Sequence, residues 1–356
     1  GRMNWTGQNP YSLTQWLAGH YQYGVNWIPD QIFPYPIPLS IFMAPIGILP
    51  IREAFVLWMY FSELAIIISI LLIMSSSDII VTKHFFIPVL VGAFLFRPVL
   101  LTLGNGQLSA FILLNLTLIV WLWKQQKWWQ GSCLLALLWL KPTVGGPIIA
   151  LLCLYLWKQG HRKSLAGFFL SSGLLAALGF IQDRDWIFDF LASGQRKLSE
   201  TFGISPSYWG MASAMCNRET SCLLIVGGLL SLLSIVIIGY VIWRHSPTLS
   251  PALIISGIIP VALLLTPYGW AYDHILLIIP ITAIISKMVD LRFSFLSTSV
   301  VFIFFSILSW LLLGLAFVLG HDSWSAIVPI ICLTLILAII YQDWREPIRQ
   351  QFLSRN

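Results

Sequence analysis

The sequence predicts an all-α polytopic membrane protein, a single transmembrane domain of about eleven membrane segments covering residues 1–356. Three observations predict it. Charged residues make up 10% of the chain and apolar ones 58%, where a soluble domain carries roughly 25% and 45–50%. Apolar runs suited to crossing roughly 30 Å of hydrocarbon recur along the chain. The stretches between them are short and hold Lys, Arg, Pro and Gly, the pattern of loops at a membrane surface.

In chain order, residues 1–52 are polar but rich in Trp, Tyr and Phe, and read as an outer-face interfacial segment. Apolar runs follow at about 53–74, 85–101, 107–123, 128–141, 143–157, 164–181, 221–243, 251–266, 272–287, 294–319 and 324–341. The stretch 128–157 could be one helix, but Lys141-Pro142 would then put a charge at the bilayer centre and remove a helix hydrogen bond. Two short segments hinged at Lys141 are the better reading. Residues 182–220 form a second outer-face interfacial stretch, in which residues 185–191 read as a short amphipathic helix with Trp186, Phe190 and Leu191 toward lipid.

Charge asymmetry tests this layout. With a hinge at Lys141, alternate loops place twelve basic residues, Lys83, Lys124, Lys127, Lys158, Arg162, Lys163 and Arg244 among them, with only four acids, Asp78, Asp290, Asp343 and Glu346. The other face holds eight basic residues against nine acids, including Asp30, Glu200, Asp273 and Asp322. By the positive-inside rule the first face, with Arg292, Arg345, Arg349, Arg355 and the C-terminus, is cytoplasmic. A single span over 128–157 would turn Lys158, Arg162 and Lys163 outward. The layout is that of a multi-pass protein of a bacterial inner membrane, and residues 1–52 starting outside predict a further helix upstream of Gly1.

The same composition narrows function. The net charge of +6 is dispersed between apolar spans with no basic run, so the partner is a membrane and not nucleic acid. Cys133, Cys153 and Cys332 fall inside apolar runs and no CxxC or HxxxH pair occurs, so no metal is expected. Cys216 and Cys222 flank a short polar loop on the outer side, where a disulfide can form; bonded and reduced states are both open. No nucleotide-binding loop is visible and no cofactor is expected. Glu63, inside the first run, reads as a buried, paired or protonated carboxyl or as an interfacial one.

Three groups of polar residues stand where apolar ones are expected. Arg97, followed by Pro98 and the Gly104-Asn105-Gly106-Gln107 turn, reads either as a snorkelling arginine beside an ordinary turn or as part of a donor cluster for an anionic head group, with Asn105, Gln107 and the turn amides. Lys141 reads either as a snorkelling lysine or as a point charge for a phosphate. The segment from Thr266 to His274 carries Asp273 and His274, suited to acid–base chemistry or to binding hydroxyls. Tyr268, Trp270 and Tyr272 beside them offer stacking surfaces; the plainer reading is an aromatic belt around a Pro-Gly turn. Arg97, Gln107, Lys141 and this segment all map to the outer face, which argues for a shared cavity.

Taken together, Gly7-Gln-Asn-Pro-Tyr11, Phe33-Pro-Tyr35-Pro-Ile-Pro-Leu39, Leu103-Gly-Asn-Gly-Gln107, Lys141-Pro142 and Leu265-Thr-Pro-Tyr-Gly-Trp-Ala-Tyr-Asp-His274 resemble glycosyltransferase family 87. This is a family of the GT-C class, similar to polyprenyl-phosphate-mannose-dependent mannosyltransferases. The resemblance implies a GT-C fold and inverting transfer of a hexose, most often mannose, from a polyprenyl-phosphate donor to a lipid or glycan acceptor on the outer face. It implies that Arg97, Asn105, Gln107 and Lys141 bind the donor phosphate, and that Tyr11, Tyr35, Tyr268 and Trp270 contact substrate. Asp273 and His274 would support the chemistry. The family's catalytic Asp precedes the segment matching Gly7–Tyr11, so the base is expected upstream of Gly1; Asp30, the only acid in residues 1–52, lies on the wrong side of that segment. A transporter or flippase of lipid-linked glycans is the rival, but its polar residues should run through the bilayer depth instead of collecting on one face.

Overall fold

The computed structural model describes residues 1–25, 33–76, 83–291 and 295–353. Asp30, Asp78, Arg292 and Arg355 lie outside the described residues, as do the side chains of Lys83, Glu200, Arg345, Glu346 and Arg349. Every regular element among the described residues is helical. Six helices are long and apolar enough to cross a membrane: Ile51–Ser76, Arg162–Gln182, Thr220–His245, Ala271–Asp290, Ser299–Leu319 and Ser323–Trp344. The helices Phe86–Leu95 and Arg97–Gly104, apolar enough to cross only when taken together, are bent by 64° to each other and bring the candidates among the described residues to seven. Four shorter apolar helices, Ser109–Lys124, Trp128–Leu140, Pro142–Lys158 and Pro251–Leu265, fall on the remaining predicted runs.

The physical case for a membrane is on the helix surfaces. Thr220–His245 turns Leu229, Leu232 and Val236 outward, each more than half exposed, and the Ser299–Leu319 stretch does the same with Ile303, Ile307 and Leu311. Water would not tolerate apolar faces of that length; hydrocarbon does.

Two breaks shape the site. Pro98 has no N–H to give to the carbonyl of Phe94, and its ring crowds that carbonyl. The span therefore stops at Leu95, bends at Phe96, and restarts with Arg97 in its first turn. Pro142 likewise drives the residue before it out of helical geometry: Lys141 has φ −136° and ψ 72°, between the 3₁₀ turn Leu135–Leu140 and the helix Pro142–Lys158. The chain reverses there. The rings of Trp128 and Tyr155 are 6.4 Å apart, and Trp128 stacks on His161 at 4.0 Å. In one straight helix residues 128 and 155 would be about 40 Å apart. The hinge expected at Lys141 is thus a helical hairpin.

Polar residues gather in two layers. At one end Lys124 donates to the Ser75 carbonyl, Lys158 sits over the Trp243 ring and Lys287 pairs with Asp343. At the other lie Tyr35, Arg97, Gln107, Lys141, Asp273 and Asp322.

Two expectations need correcting. The amphipathic helix runs Trp186–Thr201, longer than residues 185–191, and it does not turn Trp186 to lipid. Trp186 is 8% exposed, clustered with Tyr11 and Ile37 and pressed against Gly179, and Phe190 packs at the edge of the same cluster; only Leu191 of the three is exposed. Tyr11, Phe33, Ile37 and Ile41 pack over this helix and supply the apolar partner that the isolated pattern lacks. Glu63 is not buried: it is exposed, about halfway along Ile51–Ser76. The Cys216–Cys222 disulfide is formed, closing the loop before Thr220–His245 onto the start of that helix.

Candidate active site

Arg97 and Lys141 do not snorkel. They are 4% and 6% exposed, and each is held by a carboxylate from a distant part of the chain. Lys141 Nζ lies 2.5 Å from Asp273 Oδ1 and 2.9 Å from the hydroxyl of Ser109, which itself donates to Asp273 Oδ1 at 2.7 Å. The three groups close a triangle between the start of Ser109–Lys124, the hairpin tip and the 3₁₀ turn Ala271–Leu277. The Tyr272 ring covers the ammonium at 4.6 Å. Asp273 is further fixed by the Trp270 amide, which donates to Oδ2 at 3.4 Å.

Arg97 makes the second pair. Its Nη2 is 2.8 Å from Asp322 Oδ2 and its Nη1 3.2 Å from Oδ1, the bidentate geometry that suits a guanidinium. Ser325 accepts from Arg97 Nη1 and donates to Asp322 Oδ1. His274, 2% exposed, lies within the field of both pairs, with the Pro206 backbone as its hydrogen-bond partner. Two ion pairs and a histidine thus form one buried polar cluster. Thr102 ties it to the bent span by donating to the Tyr272 carbonyl at 2.9 Å.

Above Lys141 and Asp273 lies a narrow cleft with about 10 Å³ of room for water, lined by Pro34, Tyr35, Pro142, Thr143, Tyr268, Trp270 and Tyr272. Trp270 lies near-parallel to Tyr272 and perpendicular to Tyr268, giving three aromatic walls around a cationic floor. Two of the three N–H directions of Lys141 are taken by Ser109 and Asp273. An ammonium held this way is a point charge that a phosphate oxygen can approach without bidentate geometry. In so buried a place its charge acts far more strongly than in water.

The remaining predicted residues divide. Tyr35 lines the cleft, and its hydroxyl donates to Gln107 Oε1 at 3.0 Å, which brings Gln107 to the rim. Asn105 is exposed at the end of Arg97–Gly104 and away from the cleft lining. The turn amides are not available to an anion: Gly106, at φ +59°, and Gln107 donate to the carbonyls of Leu103 and Thr102, the pattern that caps a helix C-terminus. Tyr11 lies behind the cleft, its hydroxyl on the Tyr35 carbonyl at 2.7 Å. Burial, with Asp183 and Asp189 nearby, pushes its phenol above the ordinary range, so it remains a neutral donor. Arg97 belongs to the cluster but is not part of the cleft lining. Asp322, Ser109 and Ser325 had no signal in the sequence beyond being polar residues in a loop or at a helix start. Among the described residues no group of three His, Cys, Asp or Glu lies close enough to hold a metal ion.

The all-helical fold, its outward apolar faces and this buried ionic cluster under an aromatic cleft define a multi-pass membrane protein with an enzyme-like site on one face. The family model for glycosyltransferase family 87 matches residues 33–267, about two thirds of the chain, and the protein belongs to that family. It is a membrane glycosyltransferase, which decides against a pure conduit. Arg97, Gln107 and Lys141 fall inside the matched stretch; Asp273, His274 and Asp322 lie beyond its end. No curated protein and no solved structure matches the chain.

Proposed function

We propose that the cleft is where sugar transfer occurs, on the outer face of a bacterial inner membrane with the C-terminus in the cytoplasm. In this reading a hexose, mannose first among them, passes from a polyprenyl-phosphate donor to a lipid or glycan acceptor by the inverting displacement of a GT-C enzyme. The observation that carries it is the Lys141–Asp273–Ser109 triangle beneath aromatic walls, at the end of the molecule opposite the lysine-rich layer. A lipid-linked donor reaches that depth laterally, with its phosphate at the level of the hairpin tip. The acceptor hydroxyl's oxygen bonds to the anomeric carbon as the bond to the phosphate breaks; the electron pair of that bond leaves with the polyprenyl phosphate, which also takes up the proton that the hydroxyl gives up. Lys141 stabilises the charge that grows there. Asp273 and His274 position the cation and the donor, Gln107 serves at the rim, and Tyr35, Tyr268 and Trp270 stack on the sugar, with Tyr11 holding Tyr35 in place. Arg97 acts on the phosphate through the cluster and not by direct contact.

The donor class is tested by supplying membranes with radiolabelled mannose as polyprenyl-phosphate-mannose or as a nucleotide sugar, with endogenous lipid as acceptor. Transfer from the lipid-linked donor alone is expected. Equal transfer by the purified protein from the nucleotide sugar would overturn the assignment.

A further inference from the structure

Glu63 stands about 18 Å along Ile51–Ser76 from its first residue, near the middle of that 26-residue span. It faces outward, and among the described residues it has no hydrogen-bond or ion-pair partner. Lipid chains offer a carboxyl nothing, which is why ionisable side chains within spans face partners or water. It is not alone on its face. Glu53, Val56, Tyr60 and Leu64 recur at the three-to-four-residue spacing of one helix stripe; all are exposed, and Tyr60 is 61% so. A shallow groove lined by Arg52, Glu53, Val56 and Tyr60 runs along the outer end of the same stripe.

From this we infer that the Glu53–Tyr60–Glu63 stripe is a docking surface for a partner transmembrane helix that places a hydrogen-bond donor, a lysine, arginine, histidine, asparagine or glutamine, opposite Glu63. A second copy of this chain is a poor fit. A twofold contact sets the same patch against itself, bringing carboxylate to carboxylate with Arg52 only at the helix end. A helix of different sequence supplies the complementary charge. The inference rests on the membrane assignment and is independent of the donor and of the cleft.

A photo-crosslinker in place of Leu64, irradiated in native membranes, tests it, with the same crosslinker at Ile225 on the lipid face of Thr220–His245 as control. The expected product at 64 is a covalent adduct to an apolar peptide that carries one of those donors. Its yield should drop about tenfold in Glu63→Leu, less in Glu63→Gln, and when the partner's donor is replaced by leucine. Adducts with lipid or with a second copy only, the same peptide at 225, or a yield indifferent to Glu63→Leu would overturn the inference.

Discussion

Lys141 and Asp273 are held together at a cost that packing alone does not explain. A buried ion pair often contributes less stability than apolar side chains of similar size, whereas removing one partner leaves an uncompensated charge and costs about 3–5 kcal/mol. Asp273→Leu should therefore destabilise the protein by that amount, and Lys141→Met/Asp273→Leu by clearly less. Thermal unfolding in detergent reads both; a double variant as unstable as the single would mean that Asp273 does more than neutralise Lys141. The Arg97–Asp322 pair makes a parallel prediction. If Arg97 acts through the cluster, Arg97→Lys, which loses the bidentate contact, should lower the transfer rate about tenfold with the donor KM little changed. A raised KM at unchanged kcat would return Arg97 to the phosphate. Lys141, Asp273 and Arg97 were each legible as costly exceptions in apolar surroundings. Their pairing was not, because the partners stand 132 and 225 residues apart and a single sequence carries no trace of that contact. Asp322 was invisible for a related reason: an acid in a loop looks ordinary until an arginine is found against it.

At the scale of elements, Pro142 was the most readable signal, since what it forbids is local and independent of packing; the same chemistry at Pro98 went unread because residues 85–101 form one apolar run, and the structure breaks that run by 64°. The hairpin at Lys141 also needs Gly145, whose Cβ would meet the Leu138 carbonyl oxygen at 2.1 Å. That atom is backbone and cannot swing aside. Gly145→Ala should cost about 1–3 kcal/mol and reduce transfer by shifting Lys141; an unchanged melting temperature would contradict the close packing of the hairpin arms. Trp186 shows where reading by element fails. Its spacing fits an amphipathic helix at a lipid surface, and what overrides it is tertiary: Tyr11 and Ile37 arrive from a segment with no periodicity of its own. The Gly104–Gln107 turn failed differently, because amides that could bind an anion are the ones a helix end uses to cap itself.

For the whole molecule, the layering of charge and the hairpin fix which ends of the helices lie together, and the proposed orientation follows from loop charge. Single cysteines added at Asn105 and at His161 test it: a membrane-impermeant maleimide should label the first in intact cells and the second only after permeabilisation, and the reverse would invert the topology. Cys216 and Cys222 should react only after reduction. The central claim, that sugar transfer depends on the ammonium beneath the aromatic cleft, meets its most direct test in Lys141→Ala. Membranes holding equal amounts of folded wild-type and variant protein are given radiolabelled polyprenyl-phosphate-mannose and endogenous acceptor lipid. Loss of one charge aimed at the leaving phosphate predicts a fall in transfer of about 100-fold or more, whereas transfer at the wild-type rate would contradict the account.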